Sequence, residues 1–380
     1  MKLSKLLVVL ACSLIISSYA VVAEPDRQAS AVRTASQGWG ELVTWDGVST
    51  TYDIYKQNFV YGSSSFLITD IRPEDRYSDK ESYETRSLTV YRAYDGQNWR
   101  ENQPVVFFVH GGAWIDGYEG WYDFVSQSFS GEKGWVTVVI DYRLTSDQVF
   151  LADEYCPDRP TCNESTNEPY RTKAAWYPDN IEDVASAFQW IVENVSDNGG
   201  DADQIVIFGH SAGGHLVSLL ATHPDYEMLR SSIKGVISMS GAYSLKELSM
   251  PIFGDAIDQT WAGGHVDNDS ELDEASPTTY VQSGMSLPPF YLLHCQQDIP
   301  SLYEQTIALK IKLELLGLSV HYDFLPAYTH VTEMEAIADI TQEPTSLIVS
   351  FIETVLQYRV YLPLAVRRTY CAGAGDGGLR

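Results

Sequence analysis

Apolar, β-branched runs alternate with stretches of helical periodicity along most of this chain, the order expected of a mostly parallel sheet with crossover helices on both faces. The runs predict strands over Ser87–Ala93, Val105–His110, Val136–Tyr142, Gln204–Phe208, Val236–Ser240, Pro289–Leu293 and Ser319–Leu325. Most are apolar at every position rather than at alternate ones, the pattern of strands covered on both faces. The clearest helix runs from Asn180 to Val195, where Ile181, Val184, Ala185, Phe188, Ile191, Val192 and Val195 recur at i, i+3, i+4 and i+7. Asp179, three residues before Glu182, reads as its capping pair. Further helices are predicted over Ala212–Thr222, Leu302–Leu316 and Thr345–Val360.

Two stretches break the rhythm. Thr145–Tyr177 is polar and proline-containing, and Ser244–Leu287 is acidic and rich in turn residues. Loops of this length inside a compact domain usually cover a site or bind something, so both are candidate lid segments. No internal repeat is present, and the Gly-rich tail 365–380 reads as flexible. The expected organisation is one α/β domain over residues 24–364, carrying insertions at about 145–177 and 244–287.

Composition agrees with a large buried core: 380 residues, 44% apolar and 12% aromatic, exclude a disordered or low-complexity chain. The first residues read as an export signal. Lys2 and Lys5 precede the apolar core Leu6–Ile16, and Val21-Val22-Ala23 offers small residues for cleavage after Ala23. The expected location is therefore extracellular or periplasmic, with no stable membrane insertion. Losing those two lysines takes the formal charge from −26 to −28, which disfavours nucleic acid as a partner. Cys156 and Cys162 are close enough to bridge in an oxidising compartment, which would add about 2–3 kcal/mol. The pairing of Cys295 and Cys371, and the oligomeric state, are open at this level.

The chemistry concentrates in a few segments. Gly209-His210-Ser211-Ala212-Gly213 lies between a predicted strand and a predicted helix, the setting a nucleophile elbow requires. The glycines permit the tight turn, and the helix N-terminus aims backbone N–H groups at developing negative charge. His110-Gly111-Gly112-Ala113-Trp114 closes another strand, where Cβ-free Gly111 and Gly112 let backbone N–H groups approach an oxyanion. Losing one such donor typically costs about 3–4 kcal/mol of barrier.

A serine hydroxyl needs a base. His330 is best placed among the eight histidines, just past the last predicted strand, whereas His321 sits within that strand and His110, His210, His215 and His294 read as scaffold. The acid is Asp298, the one carboxylate in His294-Cys295-Gln296-Gln297-Asp298; Asp323 is its mid-strand rival. The chain order is then Ser, Asp, His. Trp114, Tyr118, Trp121 and Tyr122 either line an aromatic substrate pocket or pack a helix, and Trp114 and Tyr118 are the pocket candidates.

These segments resemble the esterase branch of the α/β-hydrolases typified by hormone-sensitive lipase, and within it enzymes akin to kynurenine formamidase and bacterial carboxylesterases. The matching residues include the two motifs above, Asp141-Tyr142-Arg143-Leu144, Gly214-His215-Leu216 and Ala275-Ser276-Pro277. The resemblance implies an α/β-hydrolase fold, a triad of Ser211, Asp298 and His330, and an oxyanion hole formed by Gly111, Gly112 and Ala212. It implies no metal or organic cofactor, and a small-molecule or polymer-linked ester as substrate. An amide or formamide is the competing substrate class, and a non-catalytic binding protein on the same scaffold the competing kind of protein. Two departures touch the pocket rim: Cys295 stands where many relatives have Gly, and Thr145-Ser146 where many have Ala-Pro.

Overall fold

The computed structural model describes residues 39–63, 85–114, 117–144, 177–248 and 269–357. The predicted export signal, Cys156 and Cys162, Cys371, nearly all of the first insertion, residues 249–268 of the second and the tail lie outside the described residues. One sheet of nine strands organises the chain: β1 (Glu41–Val43), β2 (Asp53–Ser63), β3 (Thr85–Tyr94), β4 (Gln103–Val109), β5 (Val136–Ile140), β6 (Gly200–His210), β7 (Ile233–Met239), β8 (Phe290–Gln297) and β9 (Val320–Thr329). Their spatial order is β1-β2-β3-β5-β4-β6-β7-β8-β9. The pairings β1/β2, β2/β3 and β3/β5 are antiparallel, and every pairing from β5/β4 onward is parallel.

The continuous apolar runs are explained by the two layers they feed. Successive side chains of a strand point to opposite faces. Phe107 and Ile207 meet one core with Phe188, Leu216 and Leu309. Phe108 and Phe208 meet the other with Phe129, Ile348 and Ile352. Four helices cover these faces: α1 (Asp179–Asn194), α2 (Ala212–Thr222), α3 (Leu302–Leu315) and α4 (Glu343–Gln357). Each lies within three residues of its sequence-based bounds. No helix among the described residues is long and apolar enough to cross a membrane.

Two local expectations change. Asp179 does not cap α1, because it is the first helical residue and Pro178 occupies the N-cap. Its carboxylate instead accepts from Arg143 Nη1 at 2.8 Å. The Asp141-Tyr142-Arg143-Leu144 segment is a clamp between the exit of β5 and α1. Arg143 grips the buried Asp183 through Nε at 2.7 Å and Nη2 at 2.9 Å, and Arg86 adds a third contact at 2.8 Å.

Asp141 also accepts the Glu119 N–H at 2.6 Å, which brings a second carboxyl beside it. Burial, then the neighbouring Asp141 charge, pushes the Glu119 carboxyl up to about 9. A carboxyl raised on folding stabilises the fold fully below its unfolded pKa, and that contribution is lost as pH rises through the folded value. Glu119→Gln, which keeps an acceptor for Asn58 Nδ2, should therefore raise the melting temperature at pH 8 by about 2–4 °C and leave it unchanged at pH 4. Paired thermal melts at the two pH values test this, and equal shifts at both would exclude an ionisation effect.

Candidate active site

Strands β6, β8 and β9 end at their carboxyl edges with Ser211, Asp298 and His330 as the next residues. Open parallel sheets bind ligands outside this edge. Ser211 sits at φ 55° and ψ −120°, a conformation an L-residue holds only when its surroundings enforce it. The enforcing contacts are steric. A Cβ at Gly209 would lie 2.2 Å from the Gly213 carbonyl oxygen, and one at Gly213 would lie 2.0 Å from the Val109 carbonyl oxygen. Strand and helix approach so closely that both positions require glycine. The turn is tied back by Ser211 N–H donating to Met239 O at 2.9 Å and His215 N–H donating to Ser211 O at 3.0 Å.

The structure brings Asp298 and His330 together. His330 Nδ1 is 2.7 Å from Asp298 Oδ1, which also accepts the Ile299 N–H at 2.7 Å. This fixes Nδ1 as the protonated nitrogen and leaves Nε2 as the basic one. His330 is also anchored through its backbone, which donates to Gln297 O at 3.2 Å. The rival Asp323 accepts from Tyr291 OH at 2.7 Å instead, and His321 packs on Tyr291 and Phe351.

Gly111 borders the elbow, since a Cβ there would lie 3.1 Å from Ser211 Cβ. Gly112 has φ 122°, a region open to glycine, and Ala113 and Trp114 also have positive φ. Ala212 opens α2, so its amide belongs to the first turn, which lacks intrahelical acceptors. His110 is fully buried between Tyr142 and Tyr122 and donates from Nδ1 to Gly111 O at 2.7 Å. Burial pushes it down to about 4, so it is a neutral support for the oxyanion loop.

Trp114 is 2% exposed, and its indole N–H donates to His215 Nδ1 at 3.1 Å. His215 Nε2 in turn donates to Ala275 O at 2.7 Å. Of the two readings of Trp114, these contacts give it packing: it joins the oxyanion loop to α2 and to the Ala275-Ser276-Pro277 segment. Tyr118 is half-buried and stacks edge-on against Trp121. Cys295 is 2% exposed and packs in the core, where it also lines the cavity bordered by His294, Asp298, Tyr303 and Phe324. Sequence reasoning passed over two residues of this centre, His210 as more than scaffold and Glu333 altogether. A buried carboxyl three residues after His330, between Thr332 and Met334, leaves no local pattern.

A mostly parallel sheet with helices on both faces, carrying Ser211, Asp298 and His330 just past the carboxyl ends of three of its strands, is the α/β-hydrolase fold. The family model described as BD-FAE matches residues 166–313. Among curated proteins, the chain is 28% identical over 248 residues to esterase LipQ of Mycobacterium tuberculosis, covering 61% of this chain and 51% of that protein. It is 29% identical over 240 residues to esterase LipC of the same organism, covering 60% and 52%. The chain thus spans about half the length of these relatives. Among solved structures, esterase B from Lactobacillus Rhamnosis superposes with a TM-score of 0.58 at 17% identity, over 82% of this chain and 88% of that one. The carboxylesterase EstE1, cloned from a metagenomic library, gives 0.54 at 21% identity over 73% and 86%.

Proposed function

We propose that this chain is an exported serine carboxylesterase. The observation that carries the reading is the 2.7 Å contact between His330 Nδ1 and Asp298, at the same sheet edge as the strained Ser211 turn. The esterase names of the relatives and structural neighbours support the substrate class. Export rests on the residues before Glu24, and N-terminal sequencing of protein recovered from the medium tests it.

In the proposed cycle, His330 Nε2 takes the Ser211 proton as Oγ attacks the ester carbonyl. The N–H groups of Gly111, Gly112 and Ala212 receive the oxyanion of the tetrahedral intermediate. His330 then hands the proton to the departing alkoxide, leaving an acyl-serine and a free alcohol. Water, deprotonated by the same nitrogen, attacks the acyl-serine; the Oγ–acyl bond breaks, the carboxylic acid leaves and His330 returns the proton to Oγ. Asp298 holds the imidazole tautomer throughout.

A panel of p-nitrophenyl acetate, butyrate and decanoate, a feruloyl ester and N-formylkynurenine tests this, alongside labelling by a fluorophosphonate. The expected result is ester turnover with the label on Ser211. Preference for the formamide would make the chain an amidase, and a label elsewhere would reject the proposed nucleophile.

A further inference from the structure

Glu333 is fully buried, with 0% of its surface exposed. Its Oε1 stands 3.4 Å from His210 Nε2, and the same Nε2–H donates to the His330 carbonyl at 3.0 Å. His210 directly precedes Ser211, and its ring centroid lies 4.6 Å from that of His330. One imidazole therefore touches the nucleophile elbow, the base loop and Glu333. It borders the oxyanion loop as well, since a Cβ on Gly111 would come within 3.2 Å of His210 Nδ1.

The groups that face the Glu333 carboxyl come from three further elements. The Ser240 hydroxyl follows β7, the Cys295 thiol lies on β8, and the Asp298 charge acts from the loop after β8. Neither carboxyl oxygen has a well-directed hydrogen bond among the described residues. A buried carboxylate needs a cation or several donors. The basic group in reach is His210, and burial keeps it neutral. Burial, and then Asp298, hold Glu333 well above the usual carboxylate range.

We infer that Glu333 is a positioning residue for the catalytic base: buried against His210, whose ring N–H holds the His330 carbonyl, it fixes the His330 loop on the nucleophile elbow. This rests on the triad reading above. A second carboxylate beside His330 would stabilise the imidazolium, leaving a base already protonated and reluctant to release its proton to the leaving alkoxide. Ligand-capable atoms of His210, His330 and Glu333 lie within 4.8 Å of one another, but the His210 Nε2–H is committed to the His330 carbonyl and His330 Nδ1 to Asp298.

The test compares full-length wild type, Glu333→Gln, Glu333→Ala and Ser211→Ala on p-nitrophenyl acetate, with infrared spectra at pH 7. The wild type should show the carbonyl stretch of a protonated carboxylic acid that Glu333→Gln lacks. Glu333→Gln, an isostere of the neutral acid, should keep kcat within about threefold. Glu333→Ala should lose roughly tenfold to a hundredfold in kcat with KM little changed, the signature of a misplaced base. Should Glu333→Ala fail to fold, the infrared band and the Gln variant decide alone. Turnover that survives Ser211→Ala would sink the triad reading. With Ser211→Ala inactive, a missing band, a Gln variant slowed more than tenfold, or an Ala variant as fast as wild type would overturn the role of Glu333.

Discussion

Replacing Asp298 by asparagine should lower kcat on a short aryl ester by about 10⁴-fold while KM moves little. The carboxylate accepts from His330 Nδ1 at 2.7 Å and from the Ile299 amide. An asparagine can turn its NH₂ toward the ring, which then presents the wrong tautomer and points a proton, not a lone pair, at Ser211. Ser211→Ala should lose as much or more, and the double variant should be no slower than the worse single one, because the residues act as a unit. Initial rates on p-nitrophenyl acetate measure all three. Additive losses in the double variant would mean that Asp298 and Ser211 serve separate functions.

Arg143→Leu should destabilise the fold by about 3 kcal/mol, the lower end for breaking a buried ion pair, because Arg86 still serves Asp183. For a domain of this size that corresponds to a melting temperature lower by about 6–9 °C. The pH dependence has a definite sign. Burial already raises the Asp183 carboxyl, and Arg143 pulls it back. Without the guanidinium it rises further, so the variant regains stability as pH falls and Asp183 takes a proton. The deficit should therefore be larger at pH 8 than at pH 5, and a deficit independent of pH would mean that lost packing, rather than an orphaned charge, is responsible. Esterase activity per folded molecule should change little.

The parallel centre of the sheet was legible because burial on both faces forces unbroken apolar runs, as in Val105–Val109 and Ile205–Phe208. Strands β1 and β2 were not. In Asp53–Ser63 the side chains of Ile54 and Tyr55 are buried while Asp53, Asn58 and Val60 face solvent, so no run or clean alternation forms. The crossover between β4 and β5 escaped for a different reason. Its π-helical turn Gln127–Glu132 buries Gln127, Ser128 and Ser130, and polar residues buried by distant partners, Ile337 O for Ser128 and Tyr91 O for Ser130, carry no helical period.

At the candidate site, motif context singles out Ser211 because the turn demands glycines at fixed offsets, and Asp298 and His330 because each follows a strand. What stayed hidden joins residues distant in sequence. His210 and the His330 carbonyl are 120 residues apart, and Arg143 and Asp183 are 40 apart. The role of Asp179 was misassigned on the same ground: a capping pattern is local, whereas the partner that claims this carboxylate arrives from β5.

The unnatural backbone of Ser211 bears on how such a centre could be moved. The five residues of the elbow do not prefer that shape; it is held by the Val109 carbonyl against Gly213, by Met239 O accepting the serine amide, and by the helix that starts at Ala212. A designer grafting this nucleophile onto another scaffold would have to transplant two neighbouring parallel strands and a helix along with the pentapeptide. The smallest portable part of this machine is a layer of the sheet.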